Sequence, residues 1–554
     1  MDNKTTTSFN LVKDQIGQIR KQFRTPSISC GVLHDGEVIF RHCEGFANVE
    51  NSLQPDADTL YLIASCTKAF TSATCAILEN EGNLNWAAPV SLYLPDFNTV
   101  HDPEIGKRAT LEDLLSHSTG LAPVDHAVTG FYDEYYNKGH DQVKIASYLP
   151  VAYNFRSRWL YKHTIYGVVG ELIAKITGKS AGQAMKKKVF ELLGMKRTCT
   201  SAKEYTDNNV ATGYSILDGG TALPLENPQL EDGGIQGAAG FARSSVNDML
   251  LWAKAVMEAE DEAKKRGKSP GLPGIEFARC AHRPMTLENE LGENSYGFGW
   301  FRHTLPSRWL STIGPNFALL PDPPIIGADS CPRLAVAHWG EFQGFLTPFY
   351  TFPETKSAVI VMANSSPSRG DPTDLIAQAL CQELFDMKPR ISLYDAAVRA
   401  STRANERWSE LVQEWATKRD QTSTSQPASE FVGNFSNTGL MLDISIRELS
   451  DQEKGHGERP ELLEFTVNDM PRQRAKLRYY HHDVWTFIPD SRDDATRRGL
   501  EQYMLLPLLL FSFLRNAEGK VVALEWDLQA GVAEGPAPGL SENVQPIRFD
   551  RVEK

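Results

Sequence analysis

The sequence predicts a large α+β domain followed by a small all-β barrel. Strand-like alternation and helical spacing of apolar residues are mixed along the chain up to residue 416. A polar, Ser/Thr-rich segment, TKRDQTSTSQPASE, follows at 417–430 and is typical of a linker. Beyond it the pattern changes to short alternating strands separated by turns, which is typical of a barrel. We therefore expect domains at 1–416 and 431–554.

Local patterns justify the elements of the first domain in order. Residues 27–48 alternate around a His-Asp-Gly turn and predict a β-hairpin. A helix is expected from Ser65 to Glu79, and Thr110 is placed to cap a short one. The later expected elements are helices at 166–177, 246–257 and 393–416, a charged exposed connection at 258–272, and strands at 334–338, 345–352 and 357–363.

The second domain shows no catalytic residues of its own. Its strands include LMLDISIREL, LLEFTVN and KVVALEWDL. His481 and His482 are adjacent on a strand, so their side chains are expected on opposite faces, which argues against a shared metal ion. Neither HExxH nor a comparable ligand cluster occurs elsewhere, and we expect no metal and no cofactor.

Composition and charge exclude several function classes. The 554-residue chain is 41% hydrophobic and 23% charged, and its net charge of −13 gives no basic footprint for nucleic acid. The N-terminus lacks a signal-like apolar run, and the stretch 504–514 is too short to span a membrane. The eight cysteines are scattered without paired spacing, so we expect free thiols and a cytoplasmic protein.

Ser65 and Lys68 form the one Ser-x-x-Lys pattern in the chain. Residues three apart share a helix face, so the lysine amine can reach the serine hydroxyl at the first turn. A serine hydroxyl is a weak nucleophile that needs a base, and burial depresses a lysine pKa far enough to supply one. The pattern alone is weak evidence, because an exposed lysine on an ordinary capped helix looks the same.

Seven segments between residues 20 and 390 add to this pattern: YLIASCTKAFTSA, TLEDLLSHSTGL, LYKHTIYGVVGELIAKITGKS, ELLGMKRT, GAAGFARSSVNDMLLWA, YGFGWF and HWGEFQG. In this order they resemble the serine β-lactamase and penicillin-binding protein family, particularly its class C β-lactamases, esterases, D-aminopeptidases and fungal acyltransferases. The resemblance implies an antiparallel sheet flanked by helices plus an all-helical region. The segment after residue 430 resembles the lipocalin-like barrels of some relatives, which cap the cleft or mediate assembly.

The resemblance assigns the nucleophile and its proton-handling partners. Ser65 is the expected nucleophile, with Lys68 and Tyr161 moving the proton, and the lysine ammonium is expected to favour the Tyr161 phenolate. One departure lies beside them, because His163 stands where the family usually has an Asn that contacts the lysine and the substrate amide. Histidine is bulkier and titratable, and it weakens any expectation of β-lactamase activity.

The third motif of the resemblance concerns the cleft wall and the oxyanion hole. His338, Trp339 and Gly340 are expected on an edge strand that lines the cleft. The amides of Ser65 and Glu341 are expected to bind the oxyanion. His338 replaces the Lys that engages a penicillin carboxylate in β-lactamases, which again favours other acyl substrates.

We expect a serine hydrolase that acts through a Ser65 acyl-enzyme on an ester, thioester or amide of a small molecule or natural product. The alternatives are an acyltransferase that passes the acyl group to an alcohol or amine, and a catalytically silent binding protein. The expected partner is a small-molecule acyl substrate, without nucleic acid or membrane, and the oligomeric state stays open.

Two further features of the sequence leave alternatives. Residues 267–271, GKSPG, fit the G-x-S-x-G pattern of α/β-hydrolases, but they lie in a charged loop and Pro270 has no N–H, so we interpret the match as coincidence. Residues 130–161 are rich in aromatic side chains. They predict either a roomy apolar pocket, with Tyr135, Tyr136 and Phe155 in its wall, or a packed surface loop.

Overall fold

The computed structural model describes residues 3–137, 141–226, 237–267, 269–285, 294–308, 310, 314–454, 460–530 and 545–553. Its helices there are α1 Asn3–Phe23, α2 Thr67–Asn80, α3 Pro103–Arg108, α4 Leu111–Leu115, α5 Gln142–Ser147, α6 His163–Thr177, α7 Ala181–Met185, α8 Glu191–Leu193, α9 Gly237–Gly240, α10 Val246–Arg266, α11 Ile275–Ala278, α12 Asn316–Leu319, α13 Pro372–Leu384, α14 Leu393–Lys418 and α15 Arg492–Arg497. The strands of the first part are β1 Ser27–His34, β2 Glu37–Gly45, β3 Tyr61–Leu62, β4 Tyr214–Ile216, β5 Ala222–Pro224, β6 Arg243–Ser244, β7 Arg283–Pro284, β8 Asn294–Tyr296, β9 Phe301–Leu305, β10 Arg333–Phe342, β11 Phe345–Phe352 and β12 Ser357–Ala363.

Eight of the described strands form one antiparallel sheet in the order β2-β1-β12-β11-β10-β9-β8-β7. The predicted hairpin is present as β1 and β2, joined at Asp35 and Gly36, which both have positive φ as a tight hairpin turn requires. Apolar side chains of α1, α13 and α14 pack on one face of the sheet. Side chains of α2, α6 and α10 pack on the other, and the α+β fold class is confirmed.

Local capping explains where several helices start. Thr110 accepts from the Asp113 amide while the Asp113 carboxylate accepts from the Thr110 amide, a capping box that begins α4 as predicted. The expected exposed connection at 258–272 is wrong over its first part, because α10 continues to Arg266. Glu260 is buried on that helix and accepts a 2.6 Å hydrogen bond from Arg279.

The predicted C-terminal barrel is confirmed as a closed antiparallel barrel. Its strands, within the described residues, are β13 Gly433–Asn437, β14 Leu442–Glu448, β15 Glu461–Val467, β16 Arg474–His481, β17 Val484–Thr486, β18 Leu510–Arg515, β19 Val521–Trp526 and β20 Ile547–Val552. His481, the last residue of β16, and His482, which follows it, both contact Asp420 in the segment that precedes the barrel. His481 Nδ1 accepts from the Asp420 amide at 3.0 Å, and His482 Nε2 lies 3.1 Å from the Asp420 carboxylate.

The eight cysteines all lie in described residues and are free thiols. Among the helices that the structure describes, none combines the length and apolar character needed to cross a membrane. Across all the described residues, no group of three or more His, Cys, Asp or Glu side chains is arranged to hold a metal ion.

Candidate active site

Ser65 lies in a 3₁₀ turn, Ala64–Cys66, that leads directly into α2. Ala64 has a φ of 43°, in the left-handed region that is costly for a residue with a side chain, so the turn is strained beside the nucleophile. The Thr67 hydroxyl holds this turn by donating to the Ala64 carbonyl oxygen at 2.6 Å and accepting from the Ala242 amide at 3.0 Å. Ser65 is thereby held at the N-terminal end of a helix, where the dipole favours negative charge.

Lys68 is fully buried, and its amine contacts three polar atoms. Nζ lies 2.9 Å from Ser65 Oγ, 2.9 Å from the Ala239 carbonyl oxygen and 3.2 Å from His163 Nδ1. Burial lowers the pKa of Lys68 from 10.5 to about 7, and the Asp125 carboxylate opposes this effect. A large fraction of Lys68 is therefore neutral near pH 7, as a base for Ser65 must be.

Tyr161 packs beside the same amine, with Lys68 Nζ 4.9 Å from its ring centroid. Burial raises the pKa of the phenol above its usual range, and the nearby Ser65 opposes this. The hydroxyl is enclosed and forms no hydrogen bond of ordinary geometry with the described residues. The expectation that Lys68 favours a phenolate is therefore wrong in the free protein, because burial dominates and Tyr161 keeps its proton.

The strand that faces Ser65 is β10, which is fifth in the sheet order and so is not an edge strand over its whole length; His338, Trp339 and Gly340 nevertheless lie on a local edge of it. The pairing with β9 stops at Ala337, and the following residues have β11 on one side only. A Cβ on Gly340 would lie 2.2 Å from the Ile63 carbonyl oxygen and 3.1 Å from the Ser65 amide nitrogen. Glycine thus permits the backbone of β10 to lie directly against the nucleophile turn.

His338 and Trp339 do not line an open cleft, which corrects their expected position. His338 is 1% exposed, and its Nε2 lies 3.1 Å from the Tyr296 hydroxyl. Burial lowers the pKa of His338 to about 3, and Lys68 adds to this, so the ring is neutral. Trp339 is on the other face of the sheet, where its Nε1 donates to Asp371 at 2.9 Å.

Glu341 follows Gly340 on β10, where its backbone amide is the expected oxyanion donor. The residue is half-buried. Burial raises its pKa to about 8, with Asp371 and Asp133 adding to the effect. The Glu341 side chain is therefore largely protonated near neutral pH.

His163 is the first residue of α6, and its ring lies between Lys68 and Asp125. Nδ1 is 3.2 Å from Lys68 Nζ, and Nε2 is 3.7 Å from a carboxylate oxygen of Asp125. Burial lowers the pKa of His163 well below 6.5, and the charge of Lys68 adds to this, so the imidazole is neutral. His163 thus occupies the lysine-contacting position that the sequence gives it.

A family model described as Beta-lactamase matches residues 12–382. The chain belongs to the beta-lactamase family. An unguisins hydrolase from Aspergillus campestris is 25% identical over 402 residues, which cover 70% of this chain and 67% of that protein. A β-lactamase from Escherichia coli is 23% identical over 393 residues, 67% of this chain and 93% of that one.

The fold similarity extends to a solved structure, the octameric penicillin-binding protein homologue from Pyrococcus abyssi. It matches with a TM-score of 0.56 and 20% identity, over 89% of this chain and 94% of that one. At this identity the match shows a common fold. The chain covers 67% and 63% of the lengths of two fungal unguisins hydrolases, so those relatives extend beyond the matched region.

Sequence reasoning missed two charged residues of this beta-lactamase family site. Asp125 follows the Ser-Thr-Gly-Leu segment, and no pattern in the sequence singles it out. Lys162 is fully buried between Tyr161 and His163, with Nζ 3.2 Å from Thr119 Oγ1. Burial lowers its pKa to about 7, and Asp125 opposes this. The ionisation of both groups depends on burial, which local sequence does not reveal.

Tyr135, Phe241 and Phe342 form an aromatic cluster, which we call the aromatic wall. The ring centroid of Tyr135 is 5.6 Å from that of Phe241 and 6.1 Å from that of Phe342. Phe241 follows Ala239, the carbonyl partner of Lys68, by two residues, and Phe342 follows Gly340 by two. The wall is therefore attached to both sides of the site.

The other two aromatic residues proposed for the pocket lie elsewhere. The Tyr136 hydroxyl is 3.3 Å from that of Tyr503 in the barrel part of the chain. Phe155 packs under arginines, with the Arg156 guanidinium 4.6 Å from its ring centroid. Of the predicted trio, only Tyr135 lies in the aromatic wall.

Residues 128–137, which we call the plug segment, insert into the mouth of the barrel. Gln473 accepts from the Phe131 amide at 2.7 Å and donates to the Phe131 carbonyl oxygen at 2.9 Å. The Phe131 ring contacts three barrel aromatics, with centroid distances of 6.1 Å to Phe465, 5.9 Å to Phe487 and 5.1 Å to Tyr503. The plug segment therefore joins the barrel to one wall of the active site.

The G-x-S-x-G match is not a nucleophile elbow. Gly267 ends α10 in the left-handed conformation. The Ser269 hydroxyl accepts from the Leu272 amide at 3.4 Å and donates to Glu262 at 3.5 Å. Lys268 lies outside the described residues. Ser269 is a turn residue after a helix, whereas the elbow requires a strand before the serine.

Proposed function

We propose that the protein is a serine hydrolase that forms an acyl-enzyme on Ser65 and transfers the acyl group to water. The observation that carries the proposal is the 2.9 Å contact between Lys68 Nζ and Ser65 Oγ. Burial lowers the pKa of this lysine to about 7, so the pair has both the geometry and the protonation that nucleophilic catalysis needs.

Acylation follows from these contacts. The neutral amine of Lys68 takes the hydroxyl proton while Ser65 Oγ forms a bond to the carbonyl carbon of the substrate. The electron pair of the carbonyl moves to its oxygen, which accepts hydrogen bonds from the amides of Ser65 and Glu341. When the bond to the leaving group breaks, Tyr161 gives that group its proton and recovers one from the Lys68 ammonium.

Deacylation reverses the proton movements. A water molecule loses its proton to the Lys68 and Tyr161 pair as its oxygen attacks the acyl carbon. The same two amides bind the second oxyanion, and the bond to Ser65 Oγ breaks with return of the proton to the serine. A catalytically silent protein has no need of a buried, largely neutral lysine at this position.

The proposed substrate is an ester, thioester or amide of a small molecule whose acyl group is apolar. The aromatic wall, in which Phe241 and Phe342 follow the site residues Ala239 and Gly340 by two positions each, supports the apolar preference. His338 is neutral and buried, so it offers no positive charge to a penicillin carboxylate, and β-lactams are disfavoured. The relative from Aspergillus campestris, an unguisins hydrolase, supports hydrolysis as the reaction type.

The test is intact-protein mass spectrometry after brief exposure to a fluorophosphonate and to a panel of activated acyl esters and thioesters. We expect one adduct on the wild type, mapped to the Ser65 peptide and absent from Ser65→Ala. Ser269→Ala is the matched control, since it removes the serine of the chance motif, and it should label like the wild type.

Product analysis separates the reaction types. Free acid in water supports hydrolysis, whereas a new ester or amide formed only with an added alcohol or amine identifies an acyltransferase. A folded wild-type protein that gains no adduct from any reagent contradicts the proposal and favours the silent binding protein.

A further inference from the structure

His163 is held between two charged groups of the site. Its Nδ1 faces the Lys68 amine at 3.2 Å, and its Nε2 faces the Asp125 carboxylate at 3.7 Å. Asp125 begins a 3₁₀ turn, Asp125–Ala127, and its second carboxylate oxygen is buried without a hydrogen-bond partner among the described residues. The side chain as a whole is 29% exposed, so one enclosed oxygen without a hydrogen-bond partner calls for an explanation. Burial raises the pKa of Asp125 to about 6, and Lys68 and the backbone amide of His163 oppose this, so the group is largely ionised above neutral pH.

We propose that Asp125 is a positioning residue that fixes the tautomer of His163 and thereby orients the amine of Lys68. The inference rests on the proposed function, because it concerns the base that activates Ser65. A carboxylate beside Nε2 favours the tautomer whose proton is on Nε2. The lone pair of Nδ1 then remains free to accept an N–H of Lys68.

The consequence for Lys68 follows from counting its protons. The ammonium form donates three N–H groups, and the three contacts of Nζ are Ser65 Oγ, the Ala239 carbonyl oxygen and His163 Nδ1. The neutral amine has two N–H groups, and with the Nε2–H tautomer two of these contacts are pure acceptors. Both N–H groups are then used there, and the lone pair is left for the Ser65 proton.

The opposite tautomer removes this arrangement. With the proton on Nδ1, His163 presents a donor to Lys68, and the neutral amine must turn its lone pair towards the imidazole. Ser65 then loses its base without any change in the distance between the two side chains. Asp125 therefore affects the direction of the lone pair, which a purely structural residue does not.

The charge of Asp125 has a separate effect on the same amine. The groups facing Lys68 from the surrounding elements are Cys66, Tyr161, Tyr166, His117, His163, His338 and Asp125. Of these, Asp125 raises the pKa of Lys68 against the effect of burial. Its removal should move the acid limb of the acylation rate to lower pH, whichever residue occupies position 163.

The test is a double-mutant cycle of Asp125→Asn and His163→Asn, read as the rate of Ser65 acylation by a fluorophosphonate at the plateau of each pH profile. Asn at position 163 has no tautomer to fix. We expect Asp125→Asn to slow acylation by at least about tenfold in the wild-type background. In the His163→Asn background it should change the rate by less than about twofold.

Equal losses in both backgrounds would overturn the proposal, because they would mean that Asp125 acts on the fold or directly on Lys68. No loss in the wild-type background would overturn it as well. A wild type that does not label at all speaks against the proposed function instead, so the two failures are distinguishable. Asp125→Glu, which retains the carboxylate, should recover part of the lost rate.

A second measurement requires no variant at position 125. In ¹⁵N-histidine spectra, the His163 signal is identified by its absence from His163→Asn, and its two nitrogen shifts report the tautomer. We expect the proton on Nε2 near pH 8. A proton on Nδ1 would contradict the proposal even if Asp125→Asn did not fold.

Discussion

The two walls of the active site are built in different ways. The nucleophile wall consists of the Ser65 turn, α2 and β10, which pack directly against one another within the first part of the chain. The opposite wall contains Asp125 and Tyr135, and the segment between them is anchored through Phe131 to Gln473, 342 residues away. The first wall carries the nucleophile and is held by segments of the first part of the chain alone, whereas the second, to which we assign orientation and substrate selection, is also held by the barrel.

The largest expected effect lies in the nucleophile wall. Lys68→Met keeps the volume of the side chain and removes the base, so kcat/KM for an activated acyl ester should fall by at least about 10³-fold. Lys162→Met is the matched control, because Lys162 is equally buried with a pKa also lowered to about 7 but has no contact with Ser65. Comparable losses of kcat/KM in both variants would mean that activity requires any buried lysine here, and not specifically the contact between Lys68 and Ser65.

The second-largest expected effect concerns the anchoring of the plug segment in the barrel. Phe131→Ala removes a ring from the aromatic cluster of the barrel, which costs about 3–5 kcal/mol of packing. Amide exchange of residues 128–137 should rise by at least about 100-fold, since a loss of about 3 kcal/mol or more makes local opening that much easier. Phe155→Ala, which changes a half-buried ring that packs on arginines away from the barrel, should leave exchange in this peptide unchanged. Unchanged exchange in Phe131→Ala would mean that the barrel does not hold the plug segment in place.

Gly340→Ala tests the contact between β10 and the nucleophile turn. The added Cβ would lie 2.2 Å from the Ile63 carbonyl oxygen, so the strand must move away from Ser65 and the oxyanion hole opens. We expect a loss in kcat of about 10²-fold, the usual effect of removing one oxyanion donor. Gly219→Ala, where a Cβ meets nothing within 4 Å, is the control. Full activity of Gly340→Ala would contradict the assigned oxyanion hole.

The smallest effect concerns substrate choice. Tyr135→Ala removes one ring of the aromatic wall, and the preference for long over short acyl esters should fall by about tenfold, as expected for a contact worth about 1–2 kcal/mol. Tyr136→Phe, which loses only the hydroxyl contact to Tyr503, should keep the preference. If the ratio of kcat/KM for long over short acyl esters is the same in Tyr135→Ala and the wild type, the aromatic wall does not contact the acyl group.

The same contrast explains what could be predicted from the sequence. The Ser65 and Lys68 pair follows from one helical turn, and the hairpin and the Thr110 cap follow from equally short patterns. The length of α10 was missed because its charged residue Glu260 is paired with Arg279, which is remote in the sequence. Burial also reversed the expected ionisation of Tyr161. Asp125 and Lys162 acquire their properties from enclosure by distant segments, which no local pattern encodes.

The central claim, that Lys68 is the base for Ser65, is tested most directly by the pH dependence of Ser65 acylation. Lys68 binds a proton below its pKa of about 7, so the rate should be low in acid and rise through that pH as the amine becomes neutral. The measurement is the second-order rate of fluorophosphonate labelling, followed by intact mass. A rise centred near pH 7, also present in Lys162→Met, is the predicted result. A rate that is flat from about pH 5 to about pH 9 would contradict the account.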